Sequence, residues 1–138
     1  MGLLKEIISK KNKSLKPIWL MRQAGRYLPE FREIRKRNLD FIKLCLDIKK
    51  VKQITLQPIK RYDLDAAIIF SDILMVPYGL GQKVVFKKNF GPQLGSINLN
   101  DIKNQPEKKF LKNLEPVYKS MGMIKKDKTI KKKDLIGF

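Results

Sequence analysis

Apolar positions along this chain fall into two rhythms, helical spacing and short unbroken runs, and the two alternate. Leu3, Leu4, Ile7 and Ile8 share one face of an amphipathic helix over 3–10. "PIWLM" (17–21) is an apolar run after a proline, too short for a helix and consistent with a buried strand. "RQAGRYLP" then reads as a loop, since Gly25 is free to take positive φ and Pro29 disfavours helix in the residue before it. Pro29 suits the first position of a helix over 29–37, with Glu30 at its positive end. A second short helix is expected at 39–46. Asp47 is placed to cap a third over 48–61, where Ile48, Val51, Ile54 and Ile59 mark one face and Pro58 predicts a kink or an early end. "AAIIF" (66–70) is continuously apolar and partly β-branched between Asp65 and Ser71-Asp72, the pattern of a strand buried on both faces of a parallel sheet. Residues 71–82 read as a short helical turn and loop, "KVVF" (83–86) as a small strand, and "NFGPQLGSINLN" (89–100) as loop. Residues 106–124 read as a helix interrupted by Pro116, and "DLIGF" (134–138) is strand-like again.

The order strand, helices, strand, helices, strand favours a parallel α/β sheet. All 138 residues fit one unit, with 1–16 as an N-terminal helix and the linker "NKSLKP". No GxGxxG or P-loop follows any strand, and "GLGQ" at 79–82 matches neither. Arg22 and Arg26 follow the first strand and Asp72 the second, and strand C-terminal ends are where parallel α/β folds place their ligands.

Charge sharpens this picture. The net charge is +18, which suggests an anionic partner: nucleic acid, a membrane surface or an anionic small molecule. The 31 cations are 25 lysines and six arginines. The lysines are dispersed, and a run such as "KKDKTIKKK" (125–133) lacks aromatics for base stacking, so most of them read as a solvated surface. Five arginines, by contrast, fall between 22 and 37. Guanidinium is a planar fork that grips a carboxylate or phosphate through two hydrogen bonds, which an ammonium cannot do. Arg32 and Arg37 read as helix-surface charges paired with Glu30 and Glu33. Arg22 and Arg26, on the glycine-containing loop, read as ligand forks. Cys45, the single cysteine, sits on an apolar helix face, and with no histidine in the chain nothing activates it. No apolar run approaches a membrane span, and the start resembles neither a secretory signal nor a transit peptide, so a cytoplasmic location is expected.

"PIWLMRQAGRYLPEFREIR" (17–35) and "TLQPIKRYDLDAAIIFSDILMVPYGLG" (55–81) resemble two signatures of the uroporphyrinogen decarboxylase family, in register, and "GPQL" (91–94) follows in place. The match is dense over 17–94, thin over 95–133, and resumes at "LIGF", which resembles the family's third barrel strand. The resemblance implies a (β/α)8 barrel, of which this chain holds an N-terminal portion of about three strands. Family members are more than twice this length. The tyrosine, serine and histidine that line their pocket further along have no counterpart here. The expectation is therefore a fragment of a longer barrel, inactive alone.

The resemblance also implies a chemistry: removal of the four acetate carboxyls of uroporphyrinogen III to give coproporphyrinogen III, in porphyrin and haem biosynthesis, with no cofactor or metal. It implies substrate contacts from Arg22, Gln23, Ala24, Gly25, Arg26 and Arg35. It also implies a central role for Asp72, receiving the pyrrole N–H groups and offsetting a cationic ring. Between Arg22 and Arg26, the backbone N–H groups of Gln23, Ala24 and Gly25 are further donors for anions. On the residues alone, Asp72 serves equally well as a cap for the helical turn "ILMV". The proton donor is left open. A homodimer is implied for the full-length family. The competing readings are a small basic nucleic-acid-binding protein, which leaves both signatures unexplained, and a non-catalytic remnant that binds tetrapyrroles.

Overall fold

The computed structural model describes residues 2–10, 14, 16–87 and 90–138. Helices α1 (Leu3–Lys10), α2 (Pro29–Arg37), α3 (Phe41–Leu46) and α4 (Ile48–Arg61) precede strand β1 (Ala66–Ile68) and α5 (Met75–Gly79). A hairpin of β2 (Val84–Lys87) and β3 (Gly91–Leu94), α6 (Leu99–Asn104), α7 (Glu107–Lys125), a 3-10 turn (Lys128–Ile130) and β4 (Asp134–Ile136) follow. Residues 12, 13 and 15 of the expected linker lie outside the described residues. No helix among the described residues is long and apolar enough to cross a membrane.

β1 and β4 pair in parallel, Ala67 opposite Leu135, with α5 to α7 in the connection between them. This is the strand–helix–strand order read from the pattern. Ala66 and Ala67 are fully buried, so a continuous apolar run does mark the inner strand. The core gathers Val51, Leu56 and Ile59 of α4, Leu114, Val117 and Ile124 of α7, Ala67 of β1 and Ile69 just after it. A second cluster of Leu28, Phe31, Leu44 and Ile54 holds α2 to α3 and α4. Phe70 packs against both clusters, its ring edge-on to Phe31 at 5.7 Å and to Phe41 at 5.9 Å.

Four expectations need correction. Residues 17–21 form no strand ladder, and Ile18, Leu20 and Met21 are exposed. The segment does run beside β1, tied where Ile18 N–H donates to Asp65 Oδ2 (2.7 Å) and Asp65 N–H to the Ile18 carbonyl (2.8 Å). An apolar run identifies a segment fit for burial, but a ladder needs a backbone partner that sequence cannot supply. Gly25 does not take positive φ; that conformation belongs to Gly81 and Gly91. The φ of +75° at Gly91 lets the chain return and pair with Lys87, so part of the expected 89–100 loop is β3, and another part is α6. The prolines stop neither helix. Pro58 is enclosed by buried neighbours from Thr55 to Ile59, and α4 runs through it to Arg61. In α7 the Ser120 hydroxyl donates to the Pro116 carbonyl at 2.7 Å as the helix continues. Burial on both sides of such a turn offsets the lost backbone bond.

α4 is also tied electrostatically to the 3-10 turn that follows α7. Lys52 Nζ lies 2.7 Å from Asp127 Oδ2, the two side chains being 30% and 21% exposed, and Asp127 Oδ1 accepts the Thr129 N–H at 2.9 Å to cap the 3-10 turn. The Lys52 ammonium, and after it the Thr129 amide, holds the Asp127 carboxyl well below the usual carboxylate range. A depressed carboxylate stabilises the fold above its unfolded value of about 3.9 and loses that contribution as pH falls through the folded value. Asp127→Asn is therefore expected to destabilise the chain by roughly 1 kcal/mol at pH 7, allowing for partial screening. The gap from the unsubstituted chain should narrow between about pH 4 and pH 2. Thermal melts across that range check this, and a gap independent of pH would contradict it.

Candidate active site

The six arginines divide sharply by what they hold. Arg61 lays its fork on Glu30, Nε to Oε1 at 3.2 Å and Nη2 to Oε2 at 2.9 Å, tying α4 to α2. Arg32 does not pair with Glu30 or Glu33. Its Nη1 reaches back to the Arg26 carbonyl at 2.8 Å and the Tyr27 carbonyl at 3.3 Å, while Glu33 pairs with Lys36. Arg35 donates to the Asn38 carbonyl and, at 3.0 Å, to the Leu39 carbonyl, and its guanidinium stands 5.3 Å from the Phe41 ring centroid. Arg37, expected to pair with Glu30 or Glu33, makes neither pair: Glu30 is taken by Arg61 and Glu33 by Lys36. It ends α2 without a hydrogen-bond or ion-pair partner among the described residues, where its charge complements the helix dipole. Arg22 and Arg26 remain. Both are exposed, and neither guanidinium has a hydrogen-bond or ion-pair partner among the described residues. Arg35, expected to meet substrate, thus begins from an occupied position, whereas Arg22 and Arg26 begin open.

The loop that carries the open pair is firmly built. Gln23 is 1% exposed, and its side-chain amide donates to the Ala66 carbonyl at 2.7 Å and accepts the Ile68 N–H at 3.1 Å. The Tyr27 hydroxyl donates to the Gln23 carbonyl. Burial, and next to it the neighbouring Tyr62, raises the Tyr27 phenol above its ordinary value, so it stays a donor. Leu28 N–H closes a turn on the Gly25 carbonyl at 3.0 Å, and the Leu28 side chain is buried. Ala24 packs on the same cluster as Phe70, two residues before Asp72, so the loop and the end of the β1 segment share one apolar seat. Tyr27 and Arg32 were missed as loop braces. Their targets are carbonyls four to six residues back, and backbone acceptors carry no sequence signal.

Asp72 follows that segment. One carboxylate oxygen, Oδ1, accepts the Leu74 N–H at 2.9 Å, and the Asp72 carbonyl accepts the Met75 N–H at 2.9 Å, so Asp72 closes the turn that leads into α5, whose own N-cap is Leu74. The other oxygen has no hydrogen-bond partner among the described residues. It belongs to a residue lining a cavity of about 320 Å³ between Met75, Leu114, Val117 and Tyr118, with Phe138 at its edge. Cys45 is buried, and desolvation, reinforced by the Asp72 charge, pushes its thiol up to about 12, which leaves it inert near neutral pH.

The arrangement offers two unpaired forks on a braced loop and a carboxylate with one committed and one open oxygen. Neither Arg22 nor Arg26 lines the cavity beside Asp72; the loop and the Asp72 segment meet through the apolar seat that Ala24 and Phe70 share. The uroporphyrinogen decarboxylase (URO-D) family model matches residues 2–138. Similar curated proteins include the uroporphyrinogen decarboxylase of Rickettsia felis, 46% identical over 131 residues, which are 90% of this chain and 36% of that protein. That of Rickettsia africae is 47% identical over the same shares. That of Campylobacter jejuni subsp. jejuni is 47% identical over 124 residues, 88% of this chain and 36% of that protein. The chain thus spans about a third of the length of the curated relatives it matches.

Proposed function

The chain belongs to the uroporphyrinogen decarboxylase family, and on that premise we propose that it supplies the carboxylate-gripping loop and central carboxylate of an enzyme that converts uroporphyrinogen III to coproporphyrinogen III. Arg22 and Arg26 grip acetate or propionate arms through paired hydrogen bonds, joined by the backbone N–H groups of Gln23, Ala24 and Gly25. Arg35 joins them on release from its own turn. The open oxygen of Asp72 accepts pyrrole N–H groups. A proton adds to a ring carbon next to an acetate arm and makes the ring a cation, which the Asp72 charge stabilises. The electrons of the bond to the carboxylate then flow into the ring and CO₂ leaves, which makes the arm an exocyclic methylene. The methylene takes up a proton to become a methyl group as the ring carbon gives up the proton it first received, restoring the pyrrole. The pyrrole is its own electron sink, so the chemistry calls for no cofactor.

The observation that carries this reading is the pair of unpartnered guanidiniums beside the strand leading to Asp72, in a chain whose other loop-facing arginines are engaged. β1 and β4 are then neighbouring strands of a (β/α)8 barrel with their ligand at the C-terminal ends. The reading extends to a cytoplasmic homodimer that needs neither nucleic acid nor membrane. The test joins this chain to the remainder of the Rickettsia felis relative and assays CO₂ and coproporphyrinogen III from uroporphyrinogen III. Turnover that is lost when both Arg22 and Arg26 become alanine is expected. A folded hybrid without turnover, or turnover indifferent to those arginines, would overturn the proposal.

A further inference from the structure

We propose that Gln23 is a positioning residue, whose buried side-chain amide stands in for a neighbouring strand and fixes the loop that presents Arg22 and Arg26. The inference rests on the carboxylate-binding reading above. β1 turns one set of backbone groups toward β4: the Asp65 carbonyl accepts from Asp134 and the Ile69 N–H donates to Ile136. The alternate set, the Ala66 carbonyl and the Ile68 and Phe70 N–H groups, faces the other edge. There the Gln23 amide takes the first two and the Thr55 hydroxyl takes the third at 2.9 Å. Buried backbone polar groups must be paired, and no ladder strand runs along this edge among the described residues.

Only an amide of this length meets the demand. An ionised glutamate accepts from Ile68 but cannot donate to Ala66, asparagine is one methylene short, and methionine fills the space with neither bond. The same residue anchors the loop a second time, because its carbonyl receives the Tyr27 hydroxyl. Arg26 lies within the span that contact closes, and Arg22 directly precedes it. β1 thereby sets where both forks stand, as preorganised binding requires.

The test uses the 138-residue chain with Gln23→Met and Gln23→Glu. Hydrogen exchange is read at the Ile68 and Leu28 amides, and affinity is read with uroporphyrin III, a fluorescent octacarboxylate. Gln23→Met is expected to speed exchange at both amides at least tenfold and to weaken uroporphyrin binding about tenfold. It should also shrink the penalty of adding Arg26→Lys, since a fork no longer held in place has less to lose. Gln23→Glu should recover affinity relative to the unsubstituted chain between pH 7.5 and 5.5, because the protonated acid again donates to Ala66. Unsubstituted affinity in Gln23→Met, an undiminished Arg26→Lys penalty, or no protection at Ile68 in the unsubstituted chain would each overturn the inference. Gln23-dependent protection at Ile68 without any uroporphyrin binding would overturn the carboxylate reading, and with it the positioning role, leaving a loop brace alone.

Discussion

Asp72→Asn, in the chain joined to the rest of the Rickettsia felis relative, is expected to lower kcat for CO₂ release by at least about two orders of magnitude, the scale of removing one preorganised electrostatic group. The melting temperature should hardly move. The reason lies in the division of labour between the two oxygens. Oδ1 caps the turn at Leu74, and asparagine keeps that acceptor, being nearly as good a cap as aspartate. The open position is where the variant differs. There an amide NH₂ replaces a charged acceptor, so it meets pyrrole N–H donors with donors of its own and leaves the ring cation without its counter-charge. Asp72→Glu should retain some activity, limited by the added methylene. Product formation measured alongside thermal melting separates the two roles of this residue. Activity retained in Asp72→Asn, or lost only together with the fold, would make Asp72 a cap and nothing more.

Arg26→Lys comes next in size. In the same hybrid it is expected to reduce kcat/KM by roughly 1–3 kcal/mol, the scale of a hydrogen bond to a charged group. Lysine keeps the charge but offers a point donor where the fork offered two parallel bonds. Arg26 is free to act on a ligand because its neighbours are not: Arg32 clamps the Arg26 carbonyl, and the guanidinium itself is unpartnered among the described residues. Arg22→Lys should behave alike. Arg32→Lys offers a useful contrast, since it would loosen the loop from below without removing a ligand contact. Unchanged kinetics in Arg26→Lys would mean that charge alone suffices.

Sequence by itself determined the elements whose signal is local. Helical spacing marked α1, α4 and α7, Pro29 with Glu30 marked the start of α2, and an unbroken apolar run marked the buried strand at Ala66, because side-chain periodicity is imposed by the backbone's own geometry. It also singled out the arginine loop and Asp72, since a guanidinium cluster in a lysine-rich chain is a compositional anomaly visible without coordinates. Tertiary structure alone decided what each of those groups holds. The sequence pairs Arg32 with nearby glutamates and offers Arg35 to substrate, yet both grip carbonyls that have no sequence signature. Gln23 passed for a loop residue contributing only its backbone, whereas its amide completes the edge of a strand 43 positions away. The run at 17–21 is apolar enough for a strand, but it meets the β1 segment at Asp65 alone, and the rest of that edge is served by the side chains of Gln23 and Thr55. Pairing across long separations depends on which groups the folded chain brings together, and no window of neighbouring residues contains that information.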